Sequence, residues 1–229
     1  MQTPPDSPLP LLFSYRRCPY AMRARMALLQ AGRPFQAFEV SLRDKPAALL
    51  ALSPKGTVPV LLLPSGRVLE QSWDIMAWSF ESERGDAMAA AWWSPAQSER
   101  NLALLQANDG CFKRLLDRYK YPERFADEAV SREQVRSEAL ETFLVPLSQR
   151  LEREAFLGGE AACATDLALF PFVRQFAAVE PLWFAAQPLP ALQAWLELWL
   201  SSRLFAACMV KLPAQEPVVF PACGTFQPA

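Results

Sequence analysis

Leu11-Leu12-Phe13-Ser14-Tyr15-Arg16-Arg17-Cys18-Pro19-Tyr20-Ala21-Met22 passes from strand to helix with a cysteine at the join. Leu11 to Tyr15 is a short apolar run of strand length. From Pro19 onward Met22, Met26 and Leu29 recur at spacings of four and three, which is the helical period. Pro19 suits the first helical position, where a missing N–H costs nothing. Cys18 therefore stands at a helix start, where unpaired N–H groups and the helix dipole favour a thiolate. Arg16, Arg17, Arg23 and Arg25 are expected to add positive potential. A cysteine in such a setting can titrate at about 3.5–7.5 instead of about 8.5. Free cysteines are commonly buried as small hydrophobes; the proline, the strand-to-helix join and the arginines favour a candidate nucleophile instead.

Outward from this join, residues 11–15 read as a first strand and 19–31 as a helix stopped by Gly32. Residues 35–40 alternate as a second strand, and 46–52 form a short helical piece before Ser53-Pro54-Lys55-Gly56. Residues 60–63 and 68–70 flank Pro64-Ser65-Gly66, a hairpin signal. Ser72 is placed to cap the next helix, with Ile75, Met76, Ser79 and Phe80 on its apolar face. The order is βαβ, a helical connection, then ββα. The helix-linked pair is expected to be parallel and the hairpin antiparallel.

Strand signals then stop. The predicted division is 1–82, a linker at 83–94 with Gly85 and Asp86, and an all-helical region at 95–229. Leu102, Leu105, Phe112, Leu115 and Tyr119 follow one helical face; Leu140, Phe143, Leu144, Leu147 and Leu151 follow another. Residues 165–179 are nearly all apolar and predict a central helix; residues 191–200 predict a further one. The Pro-rich tail from Pro213 is expected to be irregular.

Composition narrows the chemistry. The chain has 229 residues, 52% apolar, and a net charge of −1, which gives no reason to expect nucleic acid or an anionic membrane as partner. It contains no histidine, so His triads and His metal ligands are excluded, and no metal is expected. Five cysteines, at 18, 111, 163, 208 and 223, form no C-x-x-C pair and suit a reducing cytoplasm. Met1-Gln2-Thr3-Pro4-Pro5-Asp6 lacks the pattern of a signal peptide, and no apolar run is of membrane-spanning length.

Four motifs, in order, resemble the glutathione transferase superfamily, specifically its cysteine-type (omega-like and dehydroascorbate-reductase-like) members. They are Cys18-Pro19-Tyr20, Thr57-Val58-Pro59-Val60-Leu61, Leu69-Glu70-Gln71-Ser72-Trp73-Asp74-Ile75, and Leu169-Phe170-Pro171-Phe172 after Thr165-Asp166. The resemblance covers about residues 10–205. It implies an α/β plus all-α fold, with a thioredoxin-like βαβ-ββα domain followed by a helical bundle, and homodimers. It implies glutathione as co-substrate, held by Lys45, Val58, Pro59, Gln71 and Ser72. Pro59 is expected to be cis, turning the Val58 backbone toward the thiol so that an extended tripeptide can pair with it. Ser72 is the expected partner of the γ-glutamyl carboxylate and Lys45 of the glycine carboxylate.

Two departures stand out. Gln71 occupies a position usually acidic in the family, and a neutral amide accepts less strongly from an ammonium than a carboxylate does. Glu70 points to the other strand face; the resemblance implies that a carboxylate of a partner subunit can compensate, with Asp109 as the candidate. Cys163, three residues before Asp166, replaces the usual Ser or Thr cap.

The expected chemistry is thiol–disulfide exchange at Cys18 through a Cys18–glutathione mixed disulfide resolved by a second glutathione. Ala21, three residues on, excludes a local dithiol. Deglutathionylation, dehydroascorbate reduction and removal of glutathione from aryl adducts all fit, with a small electrophilic or disulfide substrate. Tyr20 is expected at the substrate cleft and Phe112, Leu115 and Tyr119 along its apolar wall, although the same spacing suits core packing. The alternatives are a non-catalytic binding or assembly protein of this fold, a conjugating transferase, and an isomerase.

Overall fold

The computed structural model describes residues 9–41, 43–81, 86–125, 130–213 and 215–220. Gly85, Cys223 and the amino-terminal residues Met1 to Asp6 lie outside the described residues. By internal packing the chain divides into two compact units. One runs to Ala89 and takes in the chain from Leu200 onward; the other is Ala90–Trp199.

The first unit holds β1 (Leu11–Ser14), α1 (Pro19–Gln30), β2 (Gln36–Glu39), α2 (Ala47–Leu52), β3 (Val60–Leu62), β4 (Val68–Leu69) and α3 (Ser72–Phe80). β1 and β2 are parallel, with Phe13 opposite Phe38; β3 runs antiparallel to both β1 and β4. The strand pairings thus follow the expected βαβ and hairpin pattern. Leu11 and Phe13 share one sheet face and pack with Phe38, Val40, Leu49 and Val60. Leu12, on the opposite face, is equally buried.

Helix α1 ends where the sequence places its stop. Gly32 adopts φ +63, and the bonds Gly32 N–H to Leu29 O and Arg33 N–H to Leu28 O close a Schellman turn. The hairpin turn likewise uses Gly66 at φ +84. Each φ lies in the left-handed region that glycine enters without Cβ cost.

Two expectations about the flanks are corrected. The segment read as linker contains a helix, α4 (Ala87–Trp93). The tail read as irregular from Pro213 contains β5 (Pro217–Val219), antiparallel to β2, and α12 (Arg203–Cys208), ahead of that tail, packs on α1. The sheet order is therefore β4-β3-β1-β2-β5. Phe220, just past β5, stacks on Phe35 with centroids 4.8 Å apart, and its N–H reaches Phe35 O. Both α12 and β5 belong to the first unit, so the second unit stops at Trp199 and does not run through the tail.

In the second unit α5 (Glu99–Ala107) and α6 (Lys113–Lys120) are joined by a π turn at Asn108–Phe112. A second π turn, Leu140–Leu144, joins α7 (Arg132–Ala139) to α8 (Val145–Leu151). That second turn ends two residues before Pro146, whose missing N–H is unavailable to a regular ladder. Leu102 is exposed, off the face read for it. Helix α9 (Ala164–Ala177) is buried along most of its length, as its composition requires. α10 (Pro181–Ala185) and α11 (Pro190–Leu200) complete the element order before α12.

The start of α9 is tied to the loop before it. Asp166, fully buried, accepts from Cys163 N at 2.9 Å, Leu157 N at 3.1 Å and Trp195 Nε1 at 2.9 Å. Gly158 in that loop has no room for a side chain, because a Cβ would stand 2.4 Å from the Ala161 carbonyl oxygen. Cys163 occupies the N-cap in reciprocal capping geometry with Asp166. Burial, with the Asp166 charge beside it, pushes its thiol up to about 12, so it serves as a neutral and weak partner. Cys163→Ser is expected to raise the melting temperature, with a gain of about 0.5–2 kcal/mol from the better cap. Activity should not change; a lowered melting temperature would refute this capping assignment.

Candidate functional site

Cys18 is the N-cap residue of α1, with extended backbone (φ −77, ψ 123), and Pro19 opens the helix. Its N–H bonds Tyr15 O at 2.9 Å, which fixes the turn out of β1. The thiol is half-buried and lies 3.7 Å from the carbonyl oxygen of Val58, to which it donates. The Val58–Pro59 peptide is cis. The loop into β3 therefore turns the Val58 backbone to the cysteine, as anticipated. The Val58 N–H has no partner among the described residues.

The four arginines do not act as one cationic cloud. Arg17 bonds the Tyr15 hydroxyl at the surface, and Arg16 bonds Met209 O. Arg25 is fully buried and paired to Glu39 at 2.5 Å, so its charge is matched inside the unit. Arg23 is also fully buried. It donates to Ser72 Oγ at 3.2 Å and lies 5.3 Å over the Tyr20 ring. Treating these residues as diffuse potential missed the contact between α1 and the start of α3. The signal was available: two arginines inside an otherwise apolar helix ask for specific partners.

Ser72 is the first residue of α3, and Gln71, not Ser72, is the N-cap residue; its side chain caps nothing. Ser72 is buried and Gln71 exposed. Glu70 is engaged elsewhere, accepting from Ser53 Oγ at 2.6 Å and lying 3.9 Å from Lys55 Nζ. Lys45 is exposed, and its Nζ leans over Gly56, where an added Cβ would lie 3.3 Å away. Cys18, Val58 and Pro59 thus come together at one point, and Ser72 is linked back to α1 through Arg23. Asp109 is exposed on the first π turn of the second unit, where Asn108 Nδ2 bonds it.

Two residues expected at a substrate wall are core residues instead. Phe112 is fully buried and stacks on Phe143 at 4.2 Å. Tyr119 is fully buried, and its hydroxyl donates to Glu180 at 2.7 Å, beside Arg136. Burial, with that carboxylate beside it, holds the phenol well above its ordinary range. Leu115, 5% exposed, lines an open pocket of about 600 Å³ together with Cys111, Arg114, Arg118 and Glu138. Tyr20 remains half-buried beside Arg23.

Comparison with known proteins places this arrangement. The chain is similar to a probable glutathione transferase from Aplysia californica, 42% identical over 55 residues, which are 24% of this chain and 60% of that protein. It is similar to a pyrimidodiazepine synthase from Drosophila melanogaster, 35% identical over 71 residues, 30% of this chain and 29% of that protein. The matched stretches thus span less than two thirds of either curated relative. A solved glutathione transferase from Phanerochaete chrysosporium, in complex with oxidized glutathione, superposes with a TM-score of 0.74 at 16% identity, covering 88% of this chain and 95% of that one. A glutathione transferase family member from Pseudomonas fluorescens, with two glutathione bound, gives 0.68 at 17% identity over 88% and 92%. At these identities the structures show a shared fold. Residues 17–81 match the glutathione S-transferase N-terminal domain and 128–198 the C-terminal domain. Since those two models follow each other in the family's order and together span more than half of the sequence, the chain belongs to the glutathione transferase superfamily.

Proposed function

We propose that the protein is a glutathione-dependent thiol transferase in which Cys18 forms a mixed disulfide with glutathione. The contact of Cys18 Sγ with the Val58 carbonyl, 3.7 Å away at the cis Val58–Pro59 turn, carries this reading. The Val58 N–H and C=O offer an extended tripeptide a donor and an acceptor beside the thiol. A sulfur in the middle of that tripeptide is then delivered to Cys18. Ser72 supplies a donor for the γ-glutamyl carboxylate, and Lys45 a mobile cation for the glycine carboxylate.

In the cycle, the Cys18 thiolate attacks the glutathione sulfur of a mixed disulfide. The Cys18–glutathione bond forms as the old S–S bond breaks, and the substrate leaves as a thiolate. A second glutathione thiolate attacks the glutathione sulfur of that adduct, releasing glutathione disulfide and regenerating Cys18. The substrate thiol is released reduced, and one free glutathione is oxidised, leaving joined to the substrate's former glutathionyl group as glutathione disulfide. Ala21 leaves no local thiol to intercept the adduct.

Incubation of the full chain with glutathione disulfide should add one glutathionyl group, located at Cys18 by peptide mass mapping. Cys18→Ser should carry no adduct and no thiol-transfer activity, at an unchanged melting temperature. Full activity in that variant would refute the mechanism.

A second reading has its own support. Gln71 is neutral and exposed, and Glu70 is tied to Ser53 and Lys55. The ligand ammonium therefore lacks the adjacent carboxylate, as suits a binding module of this fold. Retention on immobilised glutathione without turnover of any disulfide substrate would favour that reading.

A further inference from the structure

We propose that Arg23 is a positioning residue that turns the Ser72 hydroxyl into a dedicated donor for a carboxylate. The inference rests on the reading that Ser72 meets the γ-glutamyl carboxylate. A serine hydroxyl has one proton and two acceptor lone pairs, whereas a guanidinium offers donors only. When Arg23 donates to Ser72 Oγ at 3.2 Å, it occupies a lone pair, and the hydroxyl proton must point elsewhere. Among the described residues that proton has no acceptor.

The geometry holds this polarity in place. Arg23 is fully buried and Ser72 is 6% exposed, so water competes weakly for either. The guanidinium is packed over the Tyr20 ring at 5.3 Å, two residues past Cys18. Ser72 opens α3, whose dipole also favours an anion. A buried positive charge behind the hydroxyl strengthens its donation to an anion and weakens it for a neutral acceptor. With Gln71 neutral, discrimination at this end of the ligand rests on the carboxylate, not on the ammonium.

The probe is S-methylglutathione, which cannot form a disulfide, together with its analogue bearing the γ-glutamyl α-carboxylate as a primary amide. Calorimetry on the full chain should find the acid bound at least about tenfold more tightly than the amide, the worth of one charge-assisted hydrogen bond. In Arg23→Met that ratio should fall to within about twofold of unity. Ser72→Ala should lose the preference equally, and Arg23→Met should add nothing further in that background. If Arg23→Met does not fold, Arg23→Gln carries the same expectation of a lost preference, and Arg23→Lys should restore most of it. An undiminished acid preference in Arg23→Met, or in Arg23→Gln where Met fails, would overturn the proposal, because a purely structural arginine leaves the ratio untouched. So would failure of the wild type to bind S-methylglutathione. A wild type that shows the acid preference but forms no Cys18 adduct would refute the thiol-transfer mechanism and leave Arg23's role standing.

Discussion

Asp166→Ala should lower the stability of the protein by about 4 kcal/mol, seen as a fall of roughly 10–15 °C in melting temperature. The carboxylate is fully buried and serves three donors at once. Oδ1 accepts from Leu157 N and Trp195 Nε1, and Oδ2 from Cys163 N. Each donor left without a partner costs about 1–3 kcal/mol, and no side chain in an alanine variant can replace the acceptor. Burial works against the charge, raising the Asp166 pKa despite those donors, so its removal returns part of the loss. Asp166→Asn separates the contributions. Its carbonyl can keep the Oδ1 pair, while its amide would meet the Cys163 N–H with a second donor. That variant should lose about 1–2 kcal/mol, the worth of the helix cap. Equal losses in the two variants would mean that the cap, and not the three-way junction, is what Asp166 supplies.

This junction was partly legible. The Asp166 position and its departure at Cys163 were visible as spacing, because a capping box is a local pattern. The bonds to Leu157 and Trp195 were not, because they join residues 9 and 29 positions away. The same divide runs through the rest of the fold. β1, α1, β2 and the hairpin are set by adjacent periodicity and by Gly32 and Gly66, and they were readable. β5 is three residues in a Pro-rich tail, and only its pairing with β2 across the length of the chain makes it a strand. α4 carries a run of alanines that favours helix, but Gly85 before it and Ser94-Pro95 after it are loop signals that mask a helix this short. Phe112 and Tyr119 show why a wall and a core cannot be told apart by period. Both lie on one helical face, and only the rings of Phe143 and Phe176 and the carboxylate of Glu180 decide the matter. At the candidate site the local features of Cys18 were readable, and the Val58–Pro59 turn came from the resemblance. The Arg23–Ser72 contact joins α1 to α3 across 49 positions and left no local trace.

Glu39→Ala should be the costliest change in the first unit, about 3–5 kcal/mol, because it strands a buried cation. Arg25 is fully buried, and its Nη2 is 2.5 Å from Glu39 Oε2. Its Nη1 reaches Cys208 O at 3.3 Å, while its Nε has no partner, so the guanidinium is already incompletely satisfied. Glu39 Oε1 also accepts the Arg16 N–H at 2.7 Å, on the turn that leads to Cys18. The loss should spread along these contacts. Arg25 lies 5.5 Å over the Phe220 ring, and Phe220 stacks on Phe35, so an uncompensated guanidinium unsettles the seat of β5. Limited proteolysis should therefore cut Glu39→Ala within residues 215–220 well before the wild type is cut there. Replacing both partners, Arg25→Met with Glu39→Leu, should recover most of the stability, since a well-packed apolar pair can match a buried ion pair. If Glu39→Ala cost less than about 1 kcal/mol, the pair would be behaving as a solvated surface contact. The tie from α1 through β2 to the tail would then have to rest on Phe35 and Phe220 alone.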